Sequence, residues 1–126
     1  MEMKRWVVGF LFNGGQVALV AKTHPEWQAG KLNGVGGKVE GDETPLDAMR
    51  REFMEEAGAP VEDWREFAVL NVEAGAIHFF ASHGDHQLES KTEEMVGWYR
   101  VDELDRLPVI PNLKWLIPLA PFPVYH

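Results

Sequence analysis

The sequence predicts an α/β (α+β) domain, and three observations predict it. The chain opens with two apolar runs joined by a tight turn, a capped amphipathic helix lies near its centre, and strand-like runs broken by turn residues follow. Its 126 residues suit one domain, 1–126, and an apolar content of 45% is enough for a core. In order, Arg5 to Phe12 reads as a strand, Asn13-Gly14-Gly15 as a turn and Gln16 to Ala21 as the return strand. His24 to Leu32 contains Pro, Trp and Gly and reads as a loop bordering a pocket. Gly34-Val35-Gly36-Gly37-Lys38 reads as a glycine-rich approach whose bare backbone lets a ligand come close.

The central helix is expected from Pro45 to Ala57. Thr44 can cap it, Pro45 suits its first turn, and Gly58 can end it in a left-handed conformation. After it, Phe67 to Val72 and Ile77 to Ser82 read as strands paired around Ala74-Gly75, and His83 to Lys91 as a polar connection. Gly97 to Val101 reads as another strand, Asp102 to Leu107 as a helical turn and Asn112 to Leu119 as a short final helix. The proline-rich tail, Pro118 to His126, is expected to pack irregularly or fray.

Composition narrows the function. A net charge of -8 argues against nonspecific binding to a nucleic acid polymer. An acidic protein acting on an anionic substrate needs cations to invert the local field. The absence of cysteine excludes disulfides and zinc–thiolate sites and permits a cytoplasmic location. The opening MEMKRWVVGFLFNGG has too short an apolar run for a signal peptide or a membrane span.

Chemistry concentrates in residues 37 to 59, GKVEGDETPLDAMRREFMEEAGA. Projected at about 100° per residue, Leu46, Met49, Phe53 and Ala57 form a core stripe. Glu52, Glu55 and Glu56 fall on the neighbouring side, with small Ala48 among them. Three carboxylates so close on one helix repel one another unless a hard cation joins them. The seven Gly, Glu and Arg positions in this spacing would match by chance on the order of once in 10^9 starts. A solvated acidic helix face is the competing reading. Arg51 and Glu43 read as a charged brace between helix and lead-in, although Arg51 is also spaced as an i,i+4 partner of Glu55. Lys38 is placed to offset phosphate charge, or simply to face solvent.

This spacing resembles the signature of the Nudix hydrolase family over its whole length, Gly37 to Ala59; Phe53 and Ala59 stand where that pattern has aliphatic residues. The resemblance implies one Nudix domain with a mixed central β-sheet sandwiched between helices. It implies Mg2+, or Mn2+, held by Glu52, Glu55 and Glu56 with the Gly37 carbonyl, and hydrolysis of a diphosphate linked to another moiety. Trp27 to Lys38, Glu89 to Tyr99 and Pro111 to Trp115 are similar to the MutT-like branch acting on oxidised purine nucleoside triphosphates such as 8-oxo-dGTP. By that likeness Asn33 reads a purine edge, Trp27 lines the base pocket, and Glu94 joins the metal or serves as the base. Asn112 stands near where that branch offers an Asp.

Each role has a plainer alternative. Trp27 either stacks a base or covers the core, Asn33 either reads a base or only holds a turn, and Glu94 either completes the site or faces solvent. His78 reads as a half-buried strand residue, and Trp6, Trp64 and Trp98 as core or edge packing rather than base platforms. The expectation is a monomeric or homodimeric cytoplasmic enzyme with a small-molecule nucleotide substrate. Its rivals are an ADP-ribose, nucleotide-sugar or dinucleoside polyphosphate pyrophosphatase and a non-catalytic nucleotide-binding or sensing module.

Overall fold

Seven strands and two helices make up the computed structural model, which describes residues 3–121. The strands are β1 (Lys4–Asn13), β2 (Gln16–Ala21), β3 (Leu32–Asn33), β4 (Val35–Lys38), β5 (Arg65–Val72), β6 (Gly75–His83) and β7 (Val96–Arg100). Helix α1 spans Pro45–Ala57 and α2 Leu113–Leu119, with 3-10 turns at Glu26–Gln28 and Val101–Arg106.

The sheet is built around a hairpin that opens. β1 and β2 pair antiparallel only beside their turn, at Phe12↔Val17 and Asn13↔Gln16. Gly14, at φ 59, supplies the left-handed turn residue. Beyond that point the strands diverge, and the segment 32–38 fills the gap. β3 pairs with the end of β2, and β4 pairs with the start of β1. β6 runs parallel to β1 from Lys4↔Gly75 to Phe12↔His83, which makes the sheet mixed. β5 lies antiparallel to β6 at one side, and β7 lies antiparallel to β2.

Period-two alternation sorts the apolar side chains onto two faces. Val7, Leu11, Ala18 and Val20 pack with Met49, Phe53 and Ala57 of α1. Phe10, Phe12, Val17, Leu19 and Phe79 pack with Leu113, Leu116 and Ile117 of α2. Helices therefore cover both faces of the mixed sheet, as expected. Gly9 lets α1 approach closely, because a Cβ there would lie 2.6 Å from Met49 Cε and 3.0 Å from Trp64 Cζ3. Among the described residues no helix is long and apolar enough to cross a membrane.

Several local expectations change. The glycine-rich approach is a strand for most of its length: Val35–Lys38 pairs antiparallel with β1. Leu32, read as loop, belongs to β3. Ala48 is fully buried and joins the α1 core cluster, and Leu46 is only partly buried. Pro118 sits inside α2 and not in an irregular tail; residues 122–126 lie outside the described residues.

Candidate functional site

Helix α1 begins and ends as its sequence requires. Thr44 Oγ1 accepts a hydrogen bond from the Asp47 amide at 3.1 Å, and Gly58 closes the helix at φ 69. These caps fix which residues face the β4 lead-in. Gly37 lies against Glu52, and any Cβ added at Gly37 would overlap the Glu52 carboxylate. The glycine thus brings strand backbone directly to an acidic side chain.

Arg51 organises one flank. Its Nε and Nη2 donate to the two oxygens of Glu43 at 2.6 and 3.0 Å. Nη1 donates to Glu52 at 3.2 Å and to Glu55 at 3.0 Å, and Nη2 reaches the Lys38 carbonyl at 3.1 Å. The brace geometry and the i,i+4 contact therefore coexist in one guanidinium. The Arg51 guanidinium also holds the Glu43 carboxyl below its ordinary value, mainly by hydrogen bonding.

The opposite flank comes from the chain before β7. Glu94 is only 5% exposed. Its carboxylate accepts from the Thr23 amide at 2.7 Å, Lys22 Nζ at 2.9 Å, Thr23 Oγ1 at 3.1 Å and the His24 amide at 3.3 Å. Burial pushes its pKa up, but these donors outweigh that and hold it at about 2.

Glu56 lies between the flanks. Burial first, then a hydrogen bond and charge repulsion from Glu52, push its carboxyl up to about 9; Lys22 opposes this shift and Glu94 adds to it. Glu56 Oε2 is buried without a hydrogen-bond partner. The arrangement differs from the expected cluster. Among the described residues no three acidic or histidine side chains converge tightly enough to hold a metal. Glu55 is 56% exposed and turned to Arg51, while Glu52 and Glu56 face one another. Arg51 draws Glu55 to itself, while burial holds the Glu56 carboxyl beside Glu52.

The residues still fit a hard divalent cation. The donors are all carboxylate oxygens, one of them buried with no partner, and Gly37 keeps the adjoining backbone bare.

A cavity of about 470 Å³ adjoins this region through Gly36, Gly37 and Lys22. Trp27, Asn33 and Asn112 all line it, so three distant candidates meet. Trp27 is 63% exposed at its rim rather than packed in a core. The Asn33 side-chain amide donates to Gln28 at 3.0 Å and its oxygen accepts from the Gly34 amide at 2.8 Å, which sets its orientation. Asn112 Oδ1 is buried with no partner. Lys38 does not line this cavity; it is exposed on a separate groove.

Sequence reasoning missed Lys22, whose only cue was a lone cation directly after an apolar strand. It also missed Trp6, read as packing, which is a cavity wall. Trp64 does pack in the core, edge-on to Phe53 at 5.2 Å. His78 is half satisfied: Nδ1 meets Glu66 at 2.7 Å, and buried Nε2 has no partner.

Comparison with known proteins gives a consistent picture. The oxidized purine nucleoside triphosphate hydrolase of Mus musculus is 31% identical over 98 residues, covering 72% of this chain and 63% of that protein. Its Danio rerio counterpart is 31% identical over 83 residues, covering 60% of this chain and 53% of that one. The chain thus spans less than two thirds of the length of either relative. A MutT NUDIX hydrolase structure from Burkholderia pseudomallei superposes with a TM-score of 0.81 at 19% identity, covering 94% of this chain and 98% of that one, which shows the shared fold. The NUDIX domain pattern matches residues 3–119. The chain belongs to the NUDIX family.

Proposed function

We propose that this protein is a divalent-cation-dependent pyrophosphohydrolase that cleaves a nucleoside triphosphate to monophosphate and pyrophosphate, with an oxidised purine as the favoured base. The observation that carries this reading is the partnerless buried oxygen of Glu56, paired with Glu52 beside a cavity whose wall includes Gly37. The names of the two vertebrate relatives support the triphosphate and the base.

Glu52, Glu56, Glu55 and the Gly37 carbonyl would hold Mg2+ or Mn2+, with Glu94 adding negative charge from the opposite flank. When bound, the ion neutralises phosphate charge and lowers the pKa of water. Water oxygen bonds to phosphorus as the bridging P–O bond breaks, and the bridging oxygen leaves with pyrophosphate. The water proton passes to a carboxylate of the Glu52–Glu56 pair. Glu94 is the poorest base of the group, since four donors already occupy its oxygens. Its work is to hold Lys22 and residues 23–24 in place. Arg51 and Glu43 keep α1 fixed against the lead-in.

In the cavity, Trp27 offers an exposed aromatic face for stacking. Asn112 Oδ1 accepts from a base N–H, and Asn33 contributes its remaining N–H and lone pair. The decisive experiment incubates the protein with Mg2+ and a panel of canonical nucleoside triphosphates, 8-oxo-dGTP, ADP-ribose and a dinucleoside polyphosphate. Glu56→Gln and Glu55→Gln run alongside. The expected result is monophosphate plus pyrophosphate from a purine triphosphate, lost in Glu56→Gln. Cleavage of ADP-ribose or the dinucleotide alone would keep the metal chemistry and remove the roles of Asn33 and Trp27. Nucleotide binding without Mg2+-dependent turnover would identify a sensing module.

A further inference from the structure

The connection from β6 to β7 is attached to α1 at the helix end that carries the glutamates. The Glu89 amide donates to the Ala57 carbonyl at 2.8 Å, and the Lys91 amide donates to the Glu56 carbonyl at 3.1 Å. Both carbonyls belong to the last turn of α1, where a helix leaves acceptors without intrahelical donors. Gly58 makes room for this attachment, since a Cβ there would lie 3.2 Å from the Glu89 carbonyl oxygen. Ser90 stands between the two amides, so its backbone is tied to Glu56 and Ala57.

The Ser90 side chain makes a second tie. The Val96 amide, at the start of β7, donates to Ser90 Oγ at 2.9 Å, and the Val96 carbonyl lies 3.5 Å from the same oxygen. Residues 90–96 thereby form a closed loop that contains Glu94. Within it, Thr92 Oγ1 accepts from the Glu94 amide at 3.1 Å. Beyond it, β7 is registered on β2 at Val20↔Val96, and the Ala21 amide donates to the Met95 carbonyl at 2.8 Å. Glu94 is thus held from two directions. Ser90 ties it toward α1, and its own carboxylate ties it to Lys22, Thr23 and His24.

We propose that Ser90 is a positioning residue, whose hydroxyl sets where Glu94, with the Lys22 it holds, stands relative to Glu56. It acts on both carboxylates through the backbone. A hydroxyl can accept from the Val96 amide and still offer its own proton; a methyl in its place leaves that amide without this partner and the loop open. The four donors on the Glu94 carboxylate remain when Ser90 is removed, so the effect is graded and not total. One hydrogen bond of this kind corresponds to a factor of about five. The kinetic consequence rests on the hydrolase reading above; the positioning itself does not.

The first arm of the test needs no turnover. Amide hydrogen exchange is followed in the full-length protein without metal or nucleotide. The Thr23 amide, 2.7 Å from Glu94, should exchange about fivefold faster in Ser90→Ala. The Ala48 amide, bonded to the Thr44 carbonyl at 3.0 Å in the first turn of α1, should keep its wild-type rate. The second arm is steady-state kinetics with a purine nucleoside triphosphate and saturating Mg2+, well below the melt. Ser90→Ala should raise KM about fivefold with kcat within about twofold of wild type. In a Glu94→Gln background the same substitution should change KM by less than about twofold, because its route to the substrate is already cut. Ser90→Thr keeps the hydroxyl and should restore both the exchange rate and KM. Unchanged Thr23 exchange in Ser90→Ala, or the same KM factor in both backgrounds, would overturn the positioning role. So would a Ser90→Thr variant no better than Ser90→Ala. If no nucleotide is hydrolysed but Thr23 exchange responds and Ser90→Thr restores it, the hydrolase reading fails and the positioning stands.

Discussion

Two charged anchors flank Glu56, and they are assembled over different ranges of chain. Arg51 draws its partners from residues within 13 positions: Lys38, Glu43, Glu52 and Glu55. Glu94 takes its donors from residues 70 to 72 positions away. The first anchor ties a helix to its own lead-in. The second exists only once β2 and β7 have paired and the Ala21 amide has met the Met95 carbonyl at 2.8 Å. A local anchor should chiefly protect the element, whereas a remote one joins the acidic site to the cavity wall carrying Lys22.

The largest expected effect lies between the anchors. Glu56→Gln keeps the shape but removes a charge that burial disfavours. Turnover should fall about a hundredfold or more, while the metal-free protein becomes more stable at alkaline pH. The sign follows from linkage. The folded carboxyl is raised from 4.5 to about 9, so the folded state holds a proton that the unfolded chain releases above 4.5. Wild-type stability in EDTA should therefore fall as pH rises from 4.5 toward 9, and Mg2+ affinity should rise over the same range because metal and proton compete. Thermal melts of both proteins across this range check it. A parallel pH dependence in Glu56→Gln would remove Glu56 as the cause.

How far each anchor was legible follows from the same distinction. Thr44, Pro45 and Gly58 mark the ends of α1 by local chemistry, so the helix was readable residue by residue, and so was the Arg51–Glu43 pair. The strand character of Val35–Lys38 was not, because it depends on β1 and β2 diverging and leaving a gap. Lys22 was invisible for a similar reason: its partner lies 72 residues away. The helix projection placed Glu52, Glu55 and Glu56 side by side, and the i,i+4 spacing offered Glu55 to Arg51, but neither could show Glu56 sinking beside Glu52.

Breaking the local anchor should cost fold stability first. Arg51→Met leaves Glu43, at 23% side-chain exposure, without its bidentate partner. A loss of about 2 kcal/mol is expected for a partly buried charged pair, read by urea denaturation. Arg51→Lys should recover only part of it, since an ammonium lacks the planar fork. A loss below about 0.5 kcal/mol would place the pair among ordinary surface contacts.

Breaking the remote anchor should act on substrate instead. Glu94→Gln removes the charge partner of Lys22 while keeping an acceptor for Thr23. An increase in KM of about tenfold with a smaller change in kcat is expected. A fall in kcat of a hundredfold or more at constant KM would instead make Glu94 a base or an indispensable ligand.

The smallest effect tests whether the local side is separable from the chemistry. Thr44→Ala removes only the 3.1 Å bond to the Asp47 amide, at the far end of α1 from Glu55 and Glu56. Pro45 has no N–H to satisfy, and Asp47 still favours the helix N-terminus. A loss of about 1 kcal/mol is therefore expected, seen as a drop of about 4 °C in Tm, with kcat and KM unchanged below the melt. If turnover fell by more than the unfolded fraction explains, cap and carboxylates would be coupled along the helix, and the local anchor would belong to the active site as fully as the remote one.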